Sequence, residues 1–494
     1  MLIAAAGVVH AGEARLVATP RATVLPVSAT NRPFLAAARS EQPVELAAAG
    51  YAESELLVSG VANVYDWTAG ASSTQLQVRA ADVPYTTRIL LRRPTDPRKF
   101  SGLVVVELLD AGDLYDRAPL WGLSWQQFLR HGDAWVGVTV SPAAMAALRR
   151  FDAVRYGPLS FNWRRPGDCH AATTDPRANP PDTESGLAFD TVAQVGALLR
   201  SASKENPLLD LNPRTVIAAG YGLAGAYVTT YANALHAALR LGDATPIYDG
   251  YLAAAGAQPV PISQCAAPLP PDDPRRGVLP RDVPFVTVTT ESDFNLAPAL
   301  RRADSDAPGD IFRLYEIPGA AHNGPFPAGL PAAADLQIAG VASPAADLCA
   351  DPPGDFPAGL AFDAVWQQYA DWFAGGRPLP SLPRIETLAD GGPRHDENGN
   401  ASGGWRLPQL EVPLAVFAGR STPHEPGERA ARVCALAGSS KPFDRAKLKS
   451  LYRNRAEYLR RFRAAVGRAV EQGLLTAADG EALANPKEAA APAF

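Results

Sequence analysis

Apolar and polar residues change rhythm twice along this 494-residue chain. Tyr51 to Trp67 and Leu76 to Arg93 alternate between the two kinds, which predicts half-buried antiparallel strands. From Gly102 onward the alternation gives way to continuous apolar runs, Leu103 to Leu109 (LVVVELL) and Ala134 to Val140 (AWVGVTV), with a helical stretch from Trp121 to His131 between them. Strands covered by helices on both faces read this way, so the runs predict a parallel sheet. Strand-helix alternation continues through Val216 to Ala219, a helix from Gly225 to Leu239, Ile247 to Ala254, Phe285 to Thr290, a helix near Leu296 to Ala303, and Ile311 to Ile317. The expected class is α/β: an open, doubly wound, mostly parallel sheet with its ligand crevice at the carboxyl ends of the strands.

Irregular stretches set the domain expectations. Residues 1–48 lack periodicity and read as an N-terminal arm or signal remnant, 49–380 as the body, and 381–494 as a segment packed on it. Within the body, Asn162 to Gly186 and Gln258 to Asp282 are rich in Pro and Asp, the composition of lid-like insertions. Phe362 to Phe373 has helical aromatic spacing, and Tyr458, Phe462, Val466 and Val470 mark a tail helix closed by Gly473, with Thr476 capping a last short one. Asp396, Asn398 and Asn400 imitate a calcium loop. Ala401 and Leu407 stand where that loop needs Gly and Glu, so the segment reads as a turn.

Composition then removes whole classes of function. At 47% hydrophobic and 20% charged residues the chain is ordinary globular material, and a net charge of −5 leaves no footprint for nucleic acid. No apolar run reaches the roughly 18 residues of a membrane span. Leu2 to Val9 followed by Val9, His10, Ala11 has the outline of a signal peptide cleavage region, although no Lys or Arg precedes it, which favours a periplasmic or secreted protein over a cytoplasmic one. Cys169, Cys265, Cys349 and Cys434 then form two disulfides or stay as four buried thiols. No Cys or His pair has metal-ligand spacing, and no cofactor motif is present. A small molecule is the expected partner; the pattern carries no information on oligomeric state.

The chemistry concentrates around Gly222. Val216 to Gly225 (VIAAGYGLAG) reads as a buried strand, a tight glycine turn and a helix entered through small residues, the form G-x-S-x-G of a nucleophile elbow with Ala224 in place of the last glycine. Gly222 stands where the serine belongs. Downstream, the strand ending at Thr290 delivers Glu291, Ser292 and Asp293, with Asp293 the preferred acid and Glu291 the alternative, and the next strand ends in PGAAHNG, which supplies His322. Nucleophile, acid, base is the chain order of a hydrolase triad. An oxyanion hole would use the backbone N–H of Leu223 and a second N–H from Asp110, Ala111 or Gly112. For Asp110 only the N–H would serve, because its carboxylate would repel a developing oxyanion.

Taken together, GYAESELLVSGVANVYDW (50–67), YTTRILLRRPTDPRKFSGLVVVELLD (85–110), VIAAGYGLAGAYVTTYANALH (216–236), VTVTTESD (286–293), FRLYEIPGAAH (312–322) and DENGNASGGWRLPQLEVPLAVFAG (396–419) resemble the alpha/beta-hydrolase domain family of large, often exported bacterial proteins presumed to be serine esterases. The resemblance spans nearly the whole chain. It implies the alpha/beta-hydrolase fold with a helical C-terminal extension, a serine where this chain has Gly222, and an acid and a histidine at Asp293 or Glu291 and His322. Loss of the serine leaves three expectations. The chain is an inactive esterase-type hydrolase, or it uses a water held by His322 or a hydroxyl such as Ser141 or Tyr221, or it is a binding protein that keeps the pocket. In the first case Gly222→Ser alone should create ester hydrolysis.

Overall fold

The computed structural model describes residues 15–28, 31–68, 74–164, 178–256, 258–296, 298–341 and 348–485. The proposed signal region, and most of the insertion Asn162 to Gly186, lie outside these. The chain divides into two compact units, one of residues 1–286, 299–312 and 327–343, the other of 287–298, 313–326 and 344–494. This division cuts across the linear segments 49–380 and 381–494, because the acid-bearing and base-bearing pieces group with the C-terminal part.

The first unit is organised by a ten-stranded sheet. Its strands are β1 (Arg21–Leu25), β2 (Tyr51–Trp67), β3 (Leu76–Pro94), β4 (Leu103–Leu108), β5 (Ala134–Val138), β6 (Thr215–Tyr221), β7 (Gly250–Ala254), β8 (Phe285–Thr290), β9 (Ser305–Ala307) and β10 (Asp310–Ile317). Strands β8 and β10 start in this unit and run on into the second. The order across the sheet is β9-β10-β8-β7-β6-β4-β5-β3-β2-β1. Strands β5, β4, β6 and β7 are mutually parallel, whereas β1, β2 and β3 are antiparallel and β3 joins β5 antiparallel. The two rhythms of the sequence are these two halves. Every residue of β4 and β5 is buried, which is why their runs carry no polar alternation.

Helices α1 (Pro119–His131), α2 (Pro142–Phe151), α3 (Leu187–Arg200) and α4 (Leu223–Ala234) accompany the parallel strands. The sequence reading contained α1, but not α2 or α3. It carried α4 to Leu239, whereas the helix stops at Ala234 and Leu239–Arg240 pairs in parallel with Arg15–Leu16. The helix expected near Leu296 to Ala303 is absent among the described residues, where Pro298–Leu300 forms only a 3-10 turn. Pro298 lacks the N–H that would continue a helix.

The N-terminal arm is pinned by buried charge. Phe34 and Leu35 are fully buried, and their carbonyls accept from the Arg88 and Arg92 guanidinium groups. Arg88 bridges Glu55 at 2.6 Å and Asp116 at 3.0 Å, while Arg155 closes on the other Glu55 oxygen at 2.5 Å. Each ion in this network is paired, the condition under which buried charge is tolerated.

In the second unit, α5 (Gly359–Gly375), α6 (Glu428–Ala437), α7 (Arg455–Glu471) and α8 (Ala477–Ala484) accompany a hairpin of β11 (Ala415–Ala418) and β12 (Ser439–Pro442). Trp405 stands edge-on to Tyr315 with centroids 4.9 Å apart and donates to the Leu474 carbonyl. A disulfide joins Cys349 to Cys434, and Cys265 of the first unit is disulfide-bonded as well. Asp396 accepts from the N–H groups of Asn398 and Asn400, so the calcium-like segment is an Asx turn. Thr476 caps α8 through the Asp479 N–H.

Candidate active site

Parallel register puts the ends of β4 and β6 side by side. Leu108 pairs with Gly220, and on the other side Tyr221 pairs with Ala254. Past those pairs β6 turns at once into α4. The hinge is Gly222, with φ 57° and ψ −124°, and its N–H donates to the Ala254 carbonyl at 2.9 Å. Side chains rarely adopt that conformation, whereas glycine does so without a Cβ penalty. The flanking glycines are required for space. A Cβ on Gly220 would lie 2.4 Å from the Ala224 carbonyl oxygen, and one on Gly225 would lie 2.7 Å from that of Ala254. Gly222 thus forms a left-handed turn between the buried end of β6 and the start of α4.

The backbone donors expected beside it are engaged. The loop after β4 folds back on itself, with the Asp110 N–H donating to the Arg117 carbonyl at 3.0 Å and the Arg117 N–H returning the bond at 2.9 Å. This closure turns the Asp110 carboxylate toward the neighbouring strand end. One oxygen, Oδ1, accepts from the Leu223 N–H at 3.0 Å. The other accepts from Arg117 Nε at 3.0 Å and also from its Nη2. The assignment of Leu223 and Asp110 as open oxyanion donors is therefore corrected: the first N–H is satisfied by a carboxylate, and the second by a carbonyl. Ala111 is buried in the same loop, and its carbonyl accepts from Leu114. The pairing of Asp110 with Arg117 had a signal in the sequence, an acid and a base seven residues apart around a turn, but the direction of the carboxylate depends on strand register.

Both residues considered as substitute hydroxyls, Ser141 and Tyr221, are buried. Ser141 Oγ caps α2 by accepting from the Ala143 N–H at 3.2 Å. Tyr221 is buried at the end of β6.

The second unit holds the acid and the base. Asp293 Oδ1 meets His322 Nδ1 at 2.9 Å, and the other carboxylate oxygen accepts from Thr290 Oγ1 at 2.5 Å. Asp293 is 3% exposed, and the His322 side chain is 15% exposed. The two loops are stitched together by the Glu291 N–H to the Ala320 carbonyl and by the His322 N–H to Ser292 Oγ, both at 3.0 Å. Glu291 has another occupation. Its carboxylate accepts from the Gly319 N–H at 2.7 Å and the Gly419 N–H at 3.0 Å, and burial holds its proton affinity above the ordinary carboxylate range. It ties the histidine loop to the segment after β11 and makes no pair with His322. A carboxylate on Nδ1 fixes the imidazole tautomer and leaves Nε2 as the nitrogen suited to proton transfer.

The insertion Gln258 to Asp282 walls a cavity of about 180 Å³ in the first unit, lined among others by Trp67, Val260, Ile262, Leu269 and Arg276. Thr230 and Asn233, two to three turns along α4 from the elbow, form its floor. No group of three or more His, Cys, Asp or Glu capable of holding a metal occurs among the described residues, and no described helix is long and apolar enough to cross a membrane.

Solved structures with a similar chain path include hydrolases. A thermostable esterase from Pseudomonas putida aligns at 12% identity over 60% of this chain and 82% of its own, with a TM-score of 0.31. An esterase from Rhizomucor miehei aligns at 12% identity over 59% and 81%, with a TM-score of 0.29. A serine hydrolase from Xanthomonas campestris, described as having no lid, aligns at 10% identity over 57% and 90%, with a TM-score of 0.27. No curated protein sequence matches the chain. A family model, by contrast, matches residues 17–485, and with the parallel sheet, the left-handed turn after β6 and the acid-histidine pair it identifies the chain as a member of the alpha/beta hydrolase domain family.

Proposed function

We propose that this chain is an esterase-type hydrolase scaffold that binds a small carboxylic ester and hydrolyses it very slowly or not at all. The observation that carries the reading is a complete acid-histidine pair, Asp293 with His322, in a chain whose elbow residue is a glycine at φ 57°. In a serine hydrolase the elbow hydroxyl attacks the ester carbonyl while the imidazole removes its proton. Gly222 offers no oxygen, so the acyl-enzyme route is closed. Loss of that hydroxyl costs about 10⁶ in turnover, and the roughly 10³–10⁴ over water that a triad keeps without it is an upper bound here, because it draws on open oxyanion donors as well as on binding. The route left is attack by a water that His322 deprotonates, with Asp293 holding the imidazole.

The Cys349–Cys434 disulfide and the bonded Cys265 favour an oxidising compartment, in keeping with export. The test is hydrolysis of 4-nitrophenyl acetate by the full chain, with saturation measured separately from turnover. The reading expects a rate no more than about 10⁴ above buffer, returned to buffer level by His322→Ala. Turnover on the order of 10 s⁻¹, typical of a working enzyme, would overturn it. Saturable ester binding with no His322-dependent turnover is the inactive limit of the reading, and a chain with no saturable ester binding would overturn it as well.

A further inference from the structure

We propose that Asp110 is a built-in plug of the elbow: its carboxylate, clamped by Arg117, occupies the Leu223 N–H that would otherwise receive a reacting oxygen. The inference rests on reading the elbow as a former ester-hydrolysing site, and it means that the missing serine is one of two obstacles there. Asp110 is fully buried, and Arg117 is nearly so. Oδ1 stands 3.0 Å from the Leu223 nitrogen, the distance at which an oxyanion would be held. A substrate carbonyl brought there meets a filled donor and a fixed negative charge. Repulsion then grows as the carbonyl oxygen becomes an oxyanion, which disfavours the transition state more than the bound ester.

The clamp keeps the plug in place. Arg117 spends Nε and Nη2 on Oδ2, its Nη1 reaches Asp113 Oδ2 at 2.6 Å, and the reciprocal backbone pair between residues 110 and 117 fixes the loop. Arg117 presents only donors, so whatever replaces the carboxylate must turn an acceptor toward it. Asp110→Asn meets that demand with its amide oxygen, which points the amide N–H₂ at the elbow. The isosteric change removes the charge and the acceptor together, so the Leu223 N–H faces another donor that must move off it, and the N–H is released to bond a reacting oxygen.

The restored step is acyl transfer. The introduced hydroxyl oxygen bonds to the ester carbonyl carbon as it gives its proton to a general base, the bond to the alcohol oxygen breaks with that proton going to the alcohol, and water then releases the acid. The full chain, Gly222→Ser, Asp110→Asn, both together, and both with His322→Ala are compared on 4-nitrophenyl acetate. Amide exchange of Leu223 is followed in each, and Asp110→Ala provides a second way of removing the carboxylate. Gly222→Ser alone should stay near the parent rate. The double variant should exceed it by about 10²–10³, the worth of an oxyanion donor, and His322→Ala should abolish the gain. Leu223 should exchange slowly with Asp110 present and faster in Asp110→Ala. Ester hydrolysis by Gly222→Ser as fast as by the double variant overturns the plug, as does Leu223 exchange that ignores the Asp110 change. An inert double variant with an unprotected Leu223 amide supports the plug and refutes the esterase reading of the elbow.

Discussion

Replacing Gly222 by alanine should destabilise the chain, although an ordinary Gly-to-Ala change stabilises one. At a φ that alanine tolerates, the substitution reduces the freedom of the unfolded chain and adds about 0.4–1 kcal/mol of stability. At φ 57° and ψ −124° the new Cβ forces a sparsely populated conformation, which costs about 1–3 kcal/mol. The difference is a net loss of about 1–2 kcal/mol. Gly220→Ala provides the comparison: its backbone has negative φ, but its Cβ would lie 2.4 Å from the Ala224 oxygen and 2.5 Å from the Ala224 carbonyl carbon. Those atoms belong to the helix itself, so relief requires moving the entry of α4, and the loss should exceed that of Gly222→Ala. Urea unfolding followed by tryptophan fluorescence suits the measurement, because Trp121 and Trp135 are fully buried in the first unit. A neutral or stabilising Gly222→Ala would refute the elbow conformation. The sign of the effect decides, so the test does not depend on an accurate magnitude.

Other expectations follow from the buried charges and the cross-link. Arg88→Met leaves Asp116 without its cation and Glu55 with Arg155 alone in a site with no exposure, so it should cost about 3–5 kcal/mol in urea unfolding; a loss below about 1 kcal/mol would show that the network adjusts. Glu107 is fully buried, and burial lifts its pKa from 4.5 to about 7 despite the N–H groups of Leu120, Trp121 and the Trp135 ring. A raised folded pKa favours the protonated folded form, so its contribution is complete below about pH 4.5 and is lost as pH rises to about 7, a fall of roughly 3 kcal/mol. Glu107→Gln should flatten that window, and an unchanged pH profile would count against the shift. Removing the Cys349–Cys434 bridge, which spans 85 residues, should lower the stability of the second unit by about 4 kcal/mol on loop entropy, read as a lower urea midpoint for Cys349→Ala/Cys434→Ala; an unmoved midpoint would refute it.

The parts legible in the sequence are those governed by local rules. Continuous apolar runs marked β4 and β5, alternation marked β2 and β3, and glycine spacing marked the turn after β6. Asp293 and His322 could be named from their addresses after β8 and β10, and they meet at 2.9 Å. The helix α3 escaped because its buried face runs all round: every residue from Leu187 to Leu199 is buried, so no polar stripe displays a 3.6-residue period. Glu291 and Asp293 are only two residues apart, and no local pattern separates an acid that accepts glycine N–H groups from one that faces a histidine. That choice is made by the segment after β11, more than a hundred residues downstream, through Gly419.

Asp110 shows why the elbow resists reading by motif. A motif records which residue follows a strand, but the state of an oxyanion hole depends on where backbone N–H groups and neighbouring charges point. In isolation the β4 loop offers three candidate amides, and the sequence gives no reason to expect their donors to be filled. Parallel pairing of β4 with β6 places Asp110 beside Leu223, and the return bond from Arg117 then decides that its side chain, rather than its N–H, faces the elbow. Changing the elbow residue alone therefore addresses only the nucleophile. The Leu223 donor is governed by a charge pair on another strand, so a serine at position 222 and a neutral residue at position 110 should act non-additively, as groups that share one transition state do.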